Sequence, residues 1–161
     1  MLRLENCLIE NGGFALHADL TVDRGSRIAV IGPSGAGKST LIEAVAGFRQ
    51  LSSGAIHWNG TSLTQVEPGK RPVAMLFQDG NLFPHLTVVQ NVGLGIRANL
   101  RLDATQRAQV QAALIRVGLQ DMADRKPAAL SGGQQSRVAL ARVLVQGRDL
   151  LLLDEPFAAL G

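Results

Sequence analysis

One stretch constrains this chain more than any other: Gly32-Pro33-Ser34-Gly35-Ala36-Gly37-Lys38-Ser39. It fits the pattern G-x-x-x-x-G-K-[ST] without a mismatch. Glycines let the backbone curl so that successive N–H groups point inward at phosphate oxygens. A helix starting at the end of the loop adds the positive end of its dipole. Lys38 can then reach the outer phosphates, and the Ser39 hydroxyl can ligate Mg²⁺. The flanks agree. Arg27-Ile28-Ala29-Val30-Ile31 has the β-branched composition of a buried strand, and Ser39 to Gly47 reads as a helix closed by glycine. Gly32, Pro33, Ser34, Gly35, Ala36, Gly37, Lys38, Ser39 and Thr40 are therefore the candidate phosphate-binding residues.

The rest of the chain alternates in the same manner. Leu2 to Ile9 and Phe14 to Val22 read as strands joined by an Asn11-Gly12-Gly13 turn. Ala55 to Trp58 ends in an Asn59-Gly60 turn, and Val73 to Phe77 is a short apolar strand after a Pro/Gly loop. From Thr87 the pattern is mostly helical. Asp103 and Gln106 form a capping-box pair ahead of Val110, Leu114 and Val117, and Gly118 follows. Ser131 caps a helix running to about Gln146, and Leu150 to Leu153 reads as a fully buried strand. Strands alternating with helices predict an α/β core, with a helical subdomain over 83–133.

Three further signals carry chemistry. Asp154 and Glu155 emerge at the carboxyl end of an apolar strand, where open α/β sheets gather their ligands. Asp154 is placed to hold Mg²⁺ through its water shell, and Glu155 to take a proton from an attacking water. Leu130-Ser131-Gly132-Gly133-Gln134 offers a hydroxyl and unobstructed glycine N–H groups at a helix start, a second anion site. One nucleotide does not need two such sites from one chain, so a second copy supplying its site to the first is expected. Gln78 follows a strand and can touch Mg²⁺ or the attacking water.

Composition removes several alternatives. Aromatic residues are 4% of the chain and tyrosine is absent, which argues against a single-strand nucleic-acid reader built on stacked rings. A formal charge of +3 suits an anionic ligand without demanding one. The single cysteine, Cys7, cannot form an internal disulfide. No apolar run has bilayer-spanning length, and Glu5 and Glu10 stand where an export signal would need an apolar stretch.

Taken together, Phe77-Gln78, LSGGQ at Leu130–Gln134 and LLLLDEP at Leu150–Pro156, after the phosphate loop, resemble the nucleotide-binding subunits of ATP-binding-cassette (ABC) transporters. The resemblance covers essentially the whole chain. Arg71 to Gln78 and Asn81 to Val88 are similar to bacterial importer ATPases. Leu20-Thr21-Val22, Gly47-Phe48 and Gly93-Leu94-Gly95 bring the chain nearest to the ATPases of thiamine importers. Importers of an inorganic ion or a polyamine are the alternative, as is a non-catalytic fragment that only binds nucleotide.

The resemblance implies a P-loop NTPase with an ABC-ATPase core sheet, an antiparallel β subdomain and a helical subdomain. The chain then reads as a single incomplete domain over 1–161. Its parts are a β subdomain with the phosphate-loop core (1–82), the helical subdomain (83–133), and the signature helix with the following strand (134–161). ATP and Mg²⁺ are the implied ligands. Gly35 to Thr40 would cradle the phosphates, with Lys38 acting in catalysis. Ser39 and Gln78 would bind Mg²⁺, with Asp154 holding it through water, and Glu155 would polarise the attacking water. Ser131, Gly133 and Gln134 would act on ATP held by a partner subunit. The implied partners are a second copy of the chain, an integral-membrane permease met near Asp79 to Val89 and, indirectly, a periplasmic solute-binding protein. No nucleic acid is implied, and the site of action is the cytoplasmic face of the inner membrane, peripherally bound.

The chain departs from the family pattern in three places. Asn11 stands where an adenine-stacking aromatic is usual, with Phe14 the nearest substitute. Ala158-Ala159-Leu160-Gly161 replaces the usual serine-alanine-leucine-aspartate. His17, His57 and His85 all precede the acidic pair, so none is the family's later switch histidine. Without the parallel strands that would follow, the Leu150–Leu153 strand or its neighbour is expected to keep an uncovered edge and apolar face. The chain alone is expected to bind Mg·ATP weakly and to turn it over little or not at all. A soluble ABC ATPase of DNA repair or translation would need a basic stripe, a coiled-coil insertion or tandem cassettes, and the sequence has none. A kinase or GTPase would share only the phosphate loop.

Overall fold

The computed structural model describes residues 1–78 and 80–156, apart from the Asn11 side chain. The expectations at Asp79, at the Asn11 side chain and at Ala158–Gly161 lie outside the described residues. Two compact units are present, Met1–Val73 and a second that begins at Ala74.

The first unit holds β1 (Leu2–Asn11), β2 (Phe14–Val22), α1 (Lys38–Ala46), β3 (Ser53–Trp58) and β4 (Thr61–Ser62). The strands form an antiparallel sheet in the order β2-β1-β3-β4. The predicted strands recur here, with β3 starting two residues earlier than expected. The loose alternation of β1 has a cause. Leu2 and Leu4 are buried, then Cys7 and Ile9, so the buried phase changes in mid-strand. The register of β1 shifts between Leu4 and Cys7 against β2, around Asn6 at φ 45°. A β-bulge inserts one residue and moves the following side chains to the other face. Opposite it, Gly54 has φ 85°, and a Cβ there would collide with the Asn6 carbonyl. Cys7 is buried, its thiol donates to the Ala55 carbonyl (3.2 Å), and burial pushes its pKa up. It is a packed group rather than a reactive one.

α1 ends at Gly47, whose φ of 92° supplies the left-handed cap. Its last carbonyls are gripped by a buried side chain. Arg71 Nη1 donates to Ala44 O (3.0 Å) and Val45 O (2.8 Å), and its Nε donates to Val66 O (2.8 Å). A guanidinium at a helix C-terminus completes orphan carbonyls and opposes the negative end of the dipole.

One expectation fails in this unit. Arg27–Ile31 forms no strand among the described residues, and Ile28, Val30 and Ile31 are exposed, Ile31 at 91%. An apolar run becomes a buried strand only when neighbours supply ladder hydrogen bonds and cover, and no described strand pairs with this segment.

The second unit comprises β5 (Val73–Leu76, starting on the last residue of the first unit), α2 (Val88–Gly93), α3 (Ala104–Arg116), α4 (Gly132–Leu144) and β6 (Leu150–Leu153). β5 pairs with β6. Each helix starts on a closed capping box: Thr87 with Gln90, Asp103 with Gln106, and Ser131 with Gln134. Val88, Val92, Val110, Leu114 and Val138 make the core where the three helices meet. Ala74 and Leu76 of β5 pack on Ala139 and Val143 of α4. β6 lies where expected but is not fully buried, since Leu151 and Leu153 are exposed.

Candidate functional site

The phosphate loop is built by two glycines in left-handed conformation, Gly35 (φ 78°) and Gly37 (φ 89°). Gly37 is the N-cap of α1 and has no side chain with which to cap it. Phe14, Gly35, Gly37, Lys38, Ser39 and Thr40 line one cleft of ≈ 330 Å³. Gly37 is doubly constrained, because a Cβ there would also lie 2.8 Å from the Phe14 ring. Lys38 folds back over its own loop, its ammonium donating to Gly32 O (2.9 Å) and Pro33 O (2.8 Å). The Ala36 N–H closes a turn onto Pro33 O (3.3 Å). Ser34 is exposed within that turn.

The acidic pair is built on β6. The Asp154 N–H donates to Leu76 O (3.0 Å), so the residue after β6 is registered to the end of β5. Asp154 is buried, whereas Glu155 is exposed with φ 44°. That left-handed residue turns the Glu155 side chain toward Gln78, whose Nε2 donates to Glu155 Oε2 (3.0 Å). Thus Gln78 and Glu155, predicted separately, meet. Asp154 N–H takes part through the backbone of the same strand pair.

Ser131, Gly133 and Gln134 form a third locus. Ser131 N–H donates to Gln134 Oε1 (2.8 Å), and Gln134 N–H donates to Ser131 Oγ (3.3 Å). These two residues are thus occupied with each other at the start of α4.

The ABC transporter family model matches residues 16–158. A thiamine import ATP-binding protein of Ruegeria sp. (strain TM1040) is 63% identical over all 161 residues, which span 70% of its length. The chain belongs to the ABC transporter family. The corresponding thiamine import ATP-binding protein of Cereibacter sphaeroides is 58% identical, again with the whole chain covered and 70% of the relative. Among solved structures, a dimeric ATP-binding cassette in a post-hydrolysis state with ADP and Pi matches with TM-score 0.86 and 28% identity. That match covers 99% of this chain and 75% of the other. A nucleotide-free cassette from an ABC transporter matches with TM-score 0.86 and 26% identity, covering 98% of this chain and 69% of its own. The fold is that of an ABC ATPase cassette. No helix among the described residues is long and apolar enough to cross a membrane.

Three side chains that organise this cassette were not singled out individually from sequence. Arg71 is described above. Asn91 is fully buried and holds the preceding loop: Phe83 N–H donates to its Oδ1 (2.8 Å), and its Nδ2 donates to Phe83 O, Leu86 O and Thr87 O. Arg142, on α4, donates to Gly80 O (2.6 Å) and Asn81 O (2.8 Å), and burial lowers its pKa from the ordinary arginine value. Its signal was present in the sequence. Val138-Ala139-Leu140-Ala141-Arg142-Val143-Leu144 is an apolar run broken by one charge, and such a charge must find polar partners when it is covered.

Proposed function

We propose that the chain is the ATP-hydrolysing subunit of an importer that carries thiamine across the cytoplasmic membrane. The observation that carries the ATPase reading is the glycine-lined cleft at the uncapped start of α1, with Lys38 at its side. Thiamine as cargo rests on relatives at 63% and 58% identity named thiamine import ATP-binding proteins.

In this reading Gly32 to Thr40 hold the phosphates, and Lys38 exchanges the Gly32 and Pro33 carbonyls for phosphate oxygens. Phe14, at the cleft wall, takes the adenine contact that Asn11 cannot make by stacking. Ser131, Gly133 and Gln134 of a second copy complete the site. The donors for Mg²⁺ are Ser39, Gln78 and Asp154. They are oxygen donors with a single carboxylate, which suits an ion that keeps waters and shares phosphate oxygens. Magnesium would supply charge neutralisation at the phosphates. Glu155, held by Gln78, accepts the proton of the attacking water. Catalysis is otherwise positioning and charge stabilisation.

The implied assembly has two copies of the chain, a permease met by the loop before α2, and a periplasmic solute-binding protein. The cassette then sits peripherally on the cytoplasmic face of the inner membrane, with 1–82 as β subdomain and phosphate-loop core, 83–133 as helical subdomain, and 134–161 as signature helix and strand.

The test is turnover by the cassette assembled with its permease. Glu155→Gln is expected to cut steady-state hydrolysis by about 10²–10⁴-fold, the usual worth of a general base. It should also accumulate an ATP-bound dimer on size exclusion. Normal hydrolysis by that variant would remove Glu155 as the base. Thiamine with its binding protein should stimulate the unsubstituted complex, and stimulation by a polyamine or an inorganic ion instead would reassign the cargo.

A further inference from the structure

We infer that Arg142 is a positioning residue for Gln78, and through it for Glu155. It thereby makes α4 a lever that links the Ser131 end of that helix to the hydrolytic pair. The inference rests on the ATPase reading above. Its starting point is the loop that follows β5. The Gly80 N–H donates to Phe77 O (3.0 Å), closing a turn that carries Gln78. Gly80 and Asn81 are both left-handed, at φ 64° and 43°. Arg142 donates to the carbonyls of both, at 2.6 and 2.8 Å. α4 also presses on the same point, since a Cβ on Gly80 would lie 3.3 Å from the Ala139 Cβ. Gln78 therefore has one neighbour on each side: its own amide on Glu155 Oε2, and a turn whose far end is fastened to α4.

The linkage follows from rigidity. α4 is a 13-residue helix, and Arg142 lies about 16 Å along it from Ser131 at 1.5 Å per residue. A helix of that length moves as one body, so a displacement at its start reaches Arg142. Charge-assisted hydrogen bonds to two successive carbonyls form a grip that a side chain with fewer donors cannot copy. When the grip shifts, the Phe77–Gly80 turn shifts with it, and the Gln78 amide moves relative to the Glu155 carboxylate. The turn carries Gln78 to the Glu155 carboxylate, so the effect is expected in turnover.

A double-mutant cycle tests this in the cassette–permease complex, with steady-state ATPase as readout. R142Q should lower kcat by about tenfold and leave KM for ATP within about twofold, the signature of a lost transition-state interaction. Q78A should lower kcat on its own, and R142Q placed on Q78A should cost nothing more, because Arg142 acts through the residue already removed. R142K keeps the charge but can serve only one carbonyl well, so it should fall between. If R142Q fails to fold, the R142K–Q78A pair makes the same comparison. Singles whose effects multiply in the double variant, or a raised KM with unchanged kcat, would overturn the inference. An active unsubstituted complex with such a result defeats only the lever. A complex with no turnover at all defeats the ATPase reading and the lever with it.

Discussion

Two helices of this chain begin with glycines, and they treat their backbone donors in opposite ways. α1 starts at Gly37 with no side-chain cap, behind a loop bent by two left-handed glycines. α4 starts at Ser131, whose capping box with Gln134 uses two of the donors at that end. The first start is open, lines a cleft and faces a folded-back ammonium. The second is closed upon itself. Similar sequence chemistry, small residues beside a hydroxyl, thus yields one helix start without a side-chain cap and one that is self-satisfied within a single copy. The difference fits a nucleotide held first by α1 and engaged by α4 of a partner only when the dimer forms.

The strongest way to break this comparison is to disable the open start. Lys38→Ala should weaken ATP binding by about 100-fold or more, measured by fluorescence titration with an ATP analogue. An ammonium about 4 Å from a phosphate at an effective dielectric of about 20 contributes ~4 kcal/mol before other costs. Part of that is offset because Lys38 must leave Gly32 O and Pro33 O. Unchanged affinity would mean that the lysine belongs to its loop and not to the ligand.

Much of this site was legible because its chemistry is local in sequence. The left-handed glycines before α1, the Asp103 and Ser131 caps and the Asn59-Gly60 turn are each fixed by residues within a few positions of one another, and the structure has these local conformations where the pattern put them. The Asn59 and Gly60 φ values of 48° and 82° are those a two-residue hairpin turn demands. What periodicity could not supply was partnership at long range. Arg27–Ile31 has the composition of an interior strand, yet composition says nothing about whether a neighbour pairs with it. The β1 bulge depends on Gly54, far away in sequence, and Arg142 meets carbonyls 61 and 62 positions earlier in the chain. Gln78 and Glu155 were each foreseen near the reacting atoms, but their mutual hydrogen bond spans 77 positions, and no spacing rule could state it.

A smaller effect sharpens the picture of the open start. Phe14 lies against Gly37 and lines the cleft, at 38% exposure. If its ring carries the adenine contact, Phe14→Ala should raise the Kd for ATP by about tenfold, within the ~1–3 kcal/mol that a stacked base is worth. Inorganic triphosphate separates this from simple damage to the loop. Its affinity should stay within about twofold, since it has no base to stack. An equal loss for both ligands would assign Phe14 to shaping the loop around Gly37.

The smallest expected effect concerns the closed start and separates its two duties. Ser131→Ala removes the oxygen that accepts from the Gln134 N–H, and loss of such a cap costs about 1 kcal/mol of stability. For a chain of this size that lowers Tm by about 2–4 °C. ATP binding by a single copy should not change, because the described residues lining the α1 cleft are Phe14, Gly35, Gly37, Lys38, Ser39 and Thr40. What should change is dimer formation with ATP, since a partner's phosphate would lose the hydroxyl as a donor. Titrating dimerisation against ATP concentration by light scattering therefore distinguishes a helix cap from a ligand group. A Tm shift with unaltered dimerisation would leave Ser131 as a cap alone. A dimerisation defect exceeding what the Tm shift explains would make the closed start of α4 a site that opens only to its partner.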